Sequence, residues 1–193
     1  MSNFEYVFSL LSILLGLALA AVLGGTARLL KVRPRMRIGW ATGLLAAWTT
    51  TEIVIFWQII WQARNALPGR VQSLFAGFTI TALYYFAAAS VFPDDFNARP
   101  DFDDYFMQEK SKIIGALLIA LLLSFLTWWA FLGEAAVHIL KWWDWLAIAI
   151  IYTAGPIALL TKRRNVAVAC LAVLVVNDLL DPLWALVFPK WAT

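Results

Sequence analysis

Charged residues are scarce in this chain: they make up 14% of its 193 residues, whereas 63% of the residues are hydrophobic. A soluble domain carries about 25% charged residues and just under about 50% apolar ones, so the composition excludes an ordinary cytosolic globule. The net charge of +3 is small, and Lys and Arg occur in short clusters between apolar runs. This excludes a disordered chain and a nucleic-acid-binding protein. The composition therefore predicts a membrane protein whose main partner is the lipid bilayer.

Cysteine and histidine are nearly absent, with one residue each, Cys170 and His138. A single cysteine permits no intrachain disulfide and no cysteine-based metal site. A single histidine cannot ligate a haem as a pair, and the Gly-x-Ser-x-Gly pattern of a serine nucleophile does not occur. We therefore expect no enzymatic activity, no cofactor and no bound metal.

Six apolar runs are long enough to cross about 30 Å of hydrocarbon, which takes about 20 helical residues. Their approximate bounds are 6–27, 39–63, 72–92, 113–132, 142–160 and 166–188. Such runs must be helical, because backbone groups in lipid find partners only within a helix or a closed barrel, and the alternation of barrel strands is absent. The sequence predicts an all-α polytopic membrane protein with a bundle of six transmembrane helices.

The distribution of basic residues predicts the orientation of this bundle, because Lys and Arg are retained on the cytoplasmic side. The loops after the first, third and fifth runs contain eleven of them: Arg28, Lys31, Arg33, Arg35, Arg37, Arg99, Lys110, Lys112, Lys162, Arg163 and Arg164. The opposite side contains four: Arg64, Arg70, Lys141 and Lys190. Both termini are therefore expected outside the cytoplasm. Most of the 11 tryptophans fall towards the outer ends of the runs, as in an interfacial belt of indoles, whereas Trp40 and Trp48 lie nearer the inner side.

The chain is expected to form a single transmembrane domain over residues 1–193, because all loops but one are short. The exception is an acidic cytoplasmic loop, 93–112, which separates two halves of three spans, 1–93 and 113–193. A repeat between such halves would be inverted in the membrane, as in many secondary transporters. Within the loop, Asp101 or Asp103 is expected to cap a short helix. Its Phe102, Tyr105 and Phe106 would anchor it on the bilayer surface or pack it on the protein.

Three carboxylates remain within the apolar runs: Glu52 in the second, and Asp178 and Asp181 in the sixth. An acidic residue at the centre of a membrane helix costs about 2.5–3.5 kcal/mol on insertion scales. Asp178 and Asp181 are three residues apart and share a helix face. Asn177 and Pro182 flank the pair, and Pro182 cannot donate to the carbonyl of Asp178. This pattern predicts a transport or ion-binding site formed by Glu52, Asp178, Asp181 and Asn177.

Further polar residues lie within the second run. Thr51, Gln58 and Gln62 fall near one stripe of this helix and are expected to support Glu52. Among the residues one helical turn from Glu52, Thr49 is expected to be its hydrogen-bond partner. No Lys or Arg occupies the middle of any run, so the carboxylates must be protonated or must face water or a bound cation. Two interpretations remain open: an ion or solute path, and helix packing through hydrogen bonds between protonated carboxyls.

The sequence Phe92-Pro93-Asp94-Asp95 closes the third run. In this motif, in length and in number of spans, the chain resembles uncharacterised small multi-pass proteins of bacteria. The resemblance implies a location in the bacterial inner membrane and implies no activity.

Two functions are compatible with these observations. The first is a small membrane translocator, either a channel or a transporter for protons, cations or small solutes, which we expect to be a homo-oligomer because few small bundles enclose a path alone. The second is a non-catalytic accessory or assembly subunit of a membrane complex, whose acidic and basic loops bind partner membrane proteins.

Overall fold

The computed structural model describes residues 3–32, 39–65, 71–93, 102–133 and 140–187. Within these residues the protein is all-helical. The six α-helices are α1 (Asn3–Val32), α2 (Trp40–Gln62), α3 (Val71–Ser90), α4 (Phe102–Leu132), α5 (Trp142–Leu160) and α6 (Arg164–Val187), and a 3₁₀ turn, Ala63–Asn65, follows α2. Five of them, α1 to α5, are long and apolar enough to cross a membrane. The predicted helical class is confirmed, and the helices indicate a multi-pass membrane protein.

Local sequence signals place several of the helix ends. Gly39 precedes α2 in an extended conformation. Gly133 follows α4 with a φ of 55°, a left-handed conformation that glycine adopts at helix C-termini without steric cost. At the start of α5, the backbone N–H of Lys141 donates to Asp144 Oδ2 over 2.7 Å, so this carboxylate lies at a helix N-terminus, where negative charge is favourable.

The acidic segment departs from the sequence prediction. We expected a loop over 93–112, but α4 begins at Phe102 and continues without a break into the apolar run. Phe102 and Phe106 are buried and Tyr105 is largely so, and the Tyr105 hydroxyl donates to the carbonyl of Ser90 over 2.8 Å. The aromatic side chains therefore pack on the protein rather than on the bilayer surface. Asp101, one of the two predicted caps, lies outside the described residues.

The helices pack in two groups, which contact each other mainly through α1 with α2 and through α4 with α5. In one group α3 packs along both α1 and α4, and in the other α6 packs along both α2 and α5. The predicted halves differ in this respect, because α1 packs closely against α3, whereas the corresponding α4 and α6 are not among the main packed pairs of the described residues. The division into two halves remains a prediction.

Small residues allow close helix approach at several positions, among them Gly25 and Gly155. A Cβ added to Gly25 would overlap the ring of Phe92, and one added to Gly155 would lie 2.7 Å from Leu118 Cδ2. Close approach of backbones at small residues is the usual means of packing helices in lipid, where no hydrophobic force drives them together. These contacts bring α1 against the end of α3 and bring α5 against α4.

Candidate functional site

Glu52 and Asp178 lie together in the interior of the bundle. Glu52 is on α2 with 2% of its surface exposed, and Asp178 is on the neighbouring α6 with 6% exposed. The two carboxyls are close enough to interact electrostatically. We call these two residues the carboxylate pair. The sequence placed both at similar depth, and the packing of α2 along α6 brings them to one place.

The hydrogen-bond partner of Glu52 is Trp48, not Thr49 as predicted. The indole Nε1–H of Trp48 donates to Glu52 Oε1 over 3.1 Å, and Trp48 is fully buried. Thr49 instead donates its hydroxyl to the carbonyl of Leu45 over 2.8 Å. Residues four apart lie on the same helix face, so the Trp48 and Glu52 spacing was a signal that the sequence contained. It was missed because the prediction considered only Thr49 as a hydrogen-bond partner one turn from Glu52.

Asp178 is contacted from a second helix by Thr51. The Thr51 hydroxyl oxygen lies 3.1 Å from Asp178 Oδ2 and 2.9 Å from the carbonyl of Trp48. A hydroxyl has one proton, so Thr51 can donate to the carboxylate, or it can donate to the carbonyl and accept a proton from a protonated Asp178. Asn177 Nδ2 lies 3.4 Å from Asp178 Oδ1. The surroundings of Asp178 can therefore satisfy either protonation state.

Two tyrosines complete a buried cluster around the carboxylate pair. Tyr84 on α3 is 1% exposed and lies near Glu52, Asp178 and Tyr152 of α5. The Tyr152 hydroxyl is buried and has no hydrogen-bond partner among the described residues. Neither tyrosine was predicted, because no spacing within one helix relates them to the carboxylates. Four helices, α2, α3, α5 and α6, contribute to this carboxylate cluster, which consists of the pair with Trp48, Thr51, Asn177, Tyr84 and Tyr152.

Two other predicted residues do not join the cluster. Gln58 and Gln62 are exposed on α2, so they do not support Glu52. Of the three residues of this stripe, Thr51 contacts Asp178, whereas Gln58 and Gln62 are exposed. Asp181 lies on α6, but its side chain is outside the described residues.

The carboxylate pair has no cationic partner within the described residues. The ion pairs found there join Lys112 to Glu109 at 2.8 Å and Arg164 to Asp103 at 2.6 Å. No three His, Cys, Asp or Glu side chains of this part of the chain lie close enough to hold a metal ion. The charge of an ionised pair would therefore be offset only by neutral hydrogen-bond donors.

A buried cation lies elsewhere, at the end of the bundle where α4 begins. Lys110 is 3% exposed, and its ammonium donates to the carbonyls of Ala158 and Leu159, over 2.7 and 2.8 Å, at the C-terminus of α5. The sequence prediction placed Lys110 in a cytoplasmic loop, and this was wrong because α4 includes it. Its role is structural, since it satisfies carbonyls that a helix end leaves without partners.

Comparison with known proteins adds no relative, because no protein-family model, no curated protein and no solved structure matches this chain. Its function is therefore inferred from the chemistry of the carboxylate cluster. That cluster offers two acids and several neutral hydrogen-bond donors. The arrangement can bind and release protons or a cation within the bundle.

Proposed function

We propose that the protein is a small membrane translocator that moves protons or small cations by means of the Glu52 and Asp178 pair. The single observation that carries this proposal is the meeting of two buried carboxyls from different helices without a cationic partner among the described residues. Ionisable side chains inside membrane helices are costly and mark ion pathways and proton relays. Two of them in one place require a bound proton or cation to limit their mutual repulsion.

The hydrogen-bond partners favour the proton as the transported species. The Trp48 indole can only donate and the Asn177 amide nitrogen lies towards Asp178, so neither presents an oxygen ligand to a metal cation at these contacts. Thr51 can donate or accept at Asp178, as its two contacts show. A site whose partners satisfy both protonation states loses little hydrogen-bond energy when a proton arrives or leaves.

The finer topology is part of this proposal. We propose that α6 is a sixth span, that both termini lie outside the cytoplasm, and that the protein resides in a bacterial inner membrane. The excess of Lys and Arg at the ends of the spans and in the segments between the first and second, third and fourth, and fifth and sixth spans supports this orientation. We also propose a homo-oligomer, since few bundles of this size enclose a path alone.

The alternative function is an accessory or assembly subunit that binds partner membrane proteins through its acidic and basic loops. The contacts of the described residues favour this alternative less than they favour a translocator. Phe102 and Phe106 of the acidic segment are buried within the bundle, and Asp103 pairs with Arg164 of the same chain. These groups are engaged internally and are not presented to a partner.

Flux measurements on reconstituted liposomes test the proposal. Protein with a lipid-impermeant pH dye inside the vesicles should conduct protons under an imposed potential, and Glu52→Gln and Asp178→Asn should each lower the rate about tenfold or more, equivalent to about 1.4 kcal/mol. Glu109→Gln is the matched control, because Glu109 is a carboxylate paired with Lys112 outside the cluster. Its flux should equal that of the wild type.

Two results would contradict the proposal. Wild-type flux no greater than that of empty vesicles would favour the accessory function. Flux that persists in both carboxylate variants would show that ions take another route, provided that thermal unfolding confirms folded protein in each case.

A further inference from the structure

The two acids of the carboxylate pair have hydrogen-bond partners of different chemistry. Among the described residues, Glu52 accepts one hydrogen bond, from the indole N–H of Trp48 to Oε1 over 3.1 Å. An indole nitrogen can only donate. Trp48 therefore stabilises an oxygen that carries no proton, and it offers no acceptor for a proton that Glu52 gains. Trp48 is fully buried and Glu52 is 2% exposed, so this contact is also enclosed.

Asp178 has a partner that can accept as well as donate. The Thr51 hydroxyl oxygen lies 3.1 Å from Asp178 Oδ2 and 2.9 Å from the carbonyl of Trp48. When Asp178 is ionised, the hydroxyl donates to Oδ2. When Oδ2 carries a proton, this proton is donated to the Thr51 oxygen, and the hydroxyl turns its own proton to the carbonyl of Trp48. The two states differ by rotation of one hydroxyl, and both keep the contact between α2 and α6.

The other oxygen of Asp178 lies next to a donor. Asn177 Nδ2 is 3.4 Å from Asp178 Oδ1, and an amide nitrogen can only donate. A proton on Oδ1 would therefore face a donor, whereas a proton on Oδ2 faces the oxygen of Thr51. The geometry favours Oδ2 as the oxygen that carries the proton.

The titratable groups that surround Asp178 come from three other helices. They are Glu52 of α2, Tyr84 of α3 and Tyr152 of α5. A tyrosine hydroxyl ordinarily ionises only at a pH of about 10, so the two tyrosines are neutral at physiological pH. The ion pairs of the described residues lie outside the cluster. On α6 itself the nearest acid is Asp181, whose side chain is outside the described residues.

We infer that Asp178 is the acid of the pair that gains and loses the proton, at Oδ2, and that Thr51 is its positioning residue. Glu52 keeps one protonation state, as a fixed neighbour held by Trp48. The transport of this proton across the membrane rests on the proposed function, whereas the assignment of the exchanging acid does not.

Infrared spectroscopy of the reconstituted protein tests this assignment. A protonated carboxyl has a C=O stretching band that a carboxylate lacks, and a buried carboxyl absorbs at a higher frequency than a solvated one. Difference spectra between acidic and alkaline pH should contain such a band in the wild type and in Glu52→Gln, and should lack it in Asp178→Asn. Asp181→Asn is the matched control on the same helix and should keep the band.

Variants of Thr51 test its positioning role. Thr51→Val removes the acceptor of the Asp178 proton and should shift the band to a higher frequency, because the carboxyl loses a hydrogen bond. Thr51→Ser keeps the hydroxyl and should restore the frequency of the wild type. Thr50→Val is the matched control, since the Thr50 hydroxyl donates to the carbonyl of Ala46 within its own helix, and it should leave the band unchanged.

Isotope labelling of the wild type keeps the test valid if Asp178→Asn does not fold. One sample contains aspartate with a heavy isotope in the carboxyl carbon, and a second sample contains glutamate labelled in the same way. The heavier carbon lowers the frequency of the carboxyl that contains it. The label in aspartate should move the band, and the label in glutamate should not.

The outcomes separate this inference from the proposed function. A band that is lost in Glu52→Gln, persists in Asp178→Asn or moves with labelled glutamate would overturn the assignment even if the liposomes conduct protons. Absence of the band from the wild type would overturn it as well, and equal frequencies in Thr51→Val and Thr50→Val would overturn the role of Thr51. A band assigned to Asp178 would support the inference even if no flux were detected, a result that would contradict only the proposed function.

Discussion

Two buried ionisable sites in this bundle have their charges compensated in different ways. Lys110 lies against the C-terminus of α5, where two backbone carbonyls accept hydrogen bonds from its ammonium. Glu52 and Asp178 lie between α2 and α6, where only neutral side chains of the described residues contact them. The ammonium of Lys110 has two direct carbonyl acceptors, whereas the carboxylate pair has no cationic partner among the described residues.

A buried ionisable group can stabilise the fold, as Lys110 does, or it can form a site for proton exchange, as we propose for the carboxylate pair. The C-terminal end of a helix carries partial negative charge and carbonyls without partners, so it stabilises a cation permanently. The hydroxyl of Thr51, in contrast, can donate to Asp178 or accept from it, because it has the carbonyl of Trp48 as a second acceptor. The two carbonyls therefore hold Lys110 in place, whereas the carboxylate pair can change its protonation state at little structural cost.

Lys110→Met should have the largest effect on stability. It removes two charge-assisted hydrogen bonds and leaves the carbonyls of Ala158 and Leu159 without them, at a cost of about 2–3 kcal/mol. Thermal unfolding in detergent should show a midpoint lowered by about 5–10 °C. Lys112→Met is the control, since Lys112 is 63% exposed and paired only with Glu109, and it should shift the midpoint little.

An unchanged unfolding midpoint in Lys110→Met would contradict the structural role that distinguishes Lys110 from the carboxylate pair. It would mean that the carbonyls at the end of α5 find other partners and that Lys110 is not part of the structural framework. Proton flux per folded molecule should remain at the wild-type level in this variant, because Lys110 lies outside the carboxylate cluster.

Thr51→Val should have an intermediate effect. Valine keeps the shape of threonine but removes the interhelical contact to Asp178, which is worth about 1 kcal/mol in membrane proteins. Thr50→Val is a matched control on the adjacent residue, since the Thr50 hydroxyl donates to the carbonyl of Ala46 within its own helix. We expect thermal unfolding to separate the two variants by about 2–4 °C and proton flux to fall only in Thr51→Val. Equal behaviour of the two would show that Thr51 is not the partner that adapts to protonation.

Arg164→Gln should have the smallest effect. The Arg164 and Asp103 pair is half exposed on the arginine side, and such pairs contribute about 0–1 kcal/mol. The difference in unfolding midpoint between variant and wild type should shrink further at high salt, which screens exposed charges. A large, salt-independent loss would instead place this pair with Lys110 among the buried, structural charges.

The helices themselves were largely predictable from the sequence. The apolar runs locate α2, α3 and α5 to within a few residues, because length and hydrophobicity alone determine which segments must be helical in lipid. α1 extends to Val32, beyond the predicted end at residue 27, and α4 departs most, since it begins at Phe102 rather than at residue 113. The charged residues between those positions were interpreted as loop, but tertiary contacts bury Phe102, Phe106 and Lys110.

The candidate site was predictable only in part. Glu52 and Asp178 stood out because carboxylates are expensive in an apolar run, and that cost is a property of the sequence. Gln58 and Gln62 were assigned to the site by spacing, yet they are exposed, because a periodicity does not state which helix face turns inward. Trp48 could have been found from its distance to Glu52 along the helix.

By itself the sequence determined that the protein is helical and suited to a membrane, and that few acidic residues lie within its apolar runs. These follow from the free energy of placing single residues in lipid, which depends on no other residue. Only the tertiary structure decided that Asp178 meets Thr51, that Tyr84 and Tyr152 surround the pair, and that Lys110 completes α5. Each of these contacts joins residues on different helices, and the packing of helices against one another determines them.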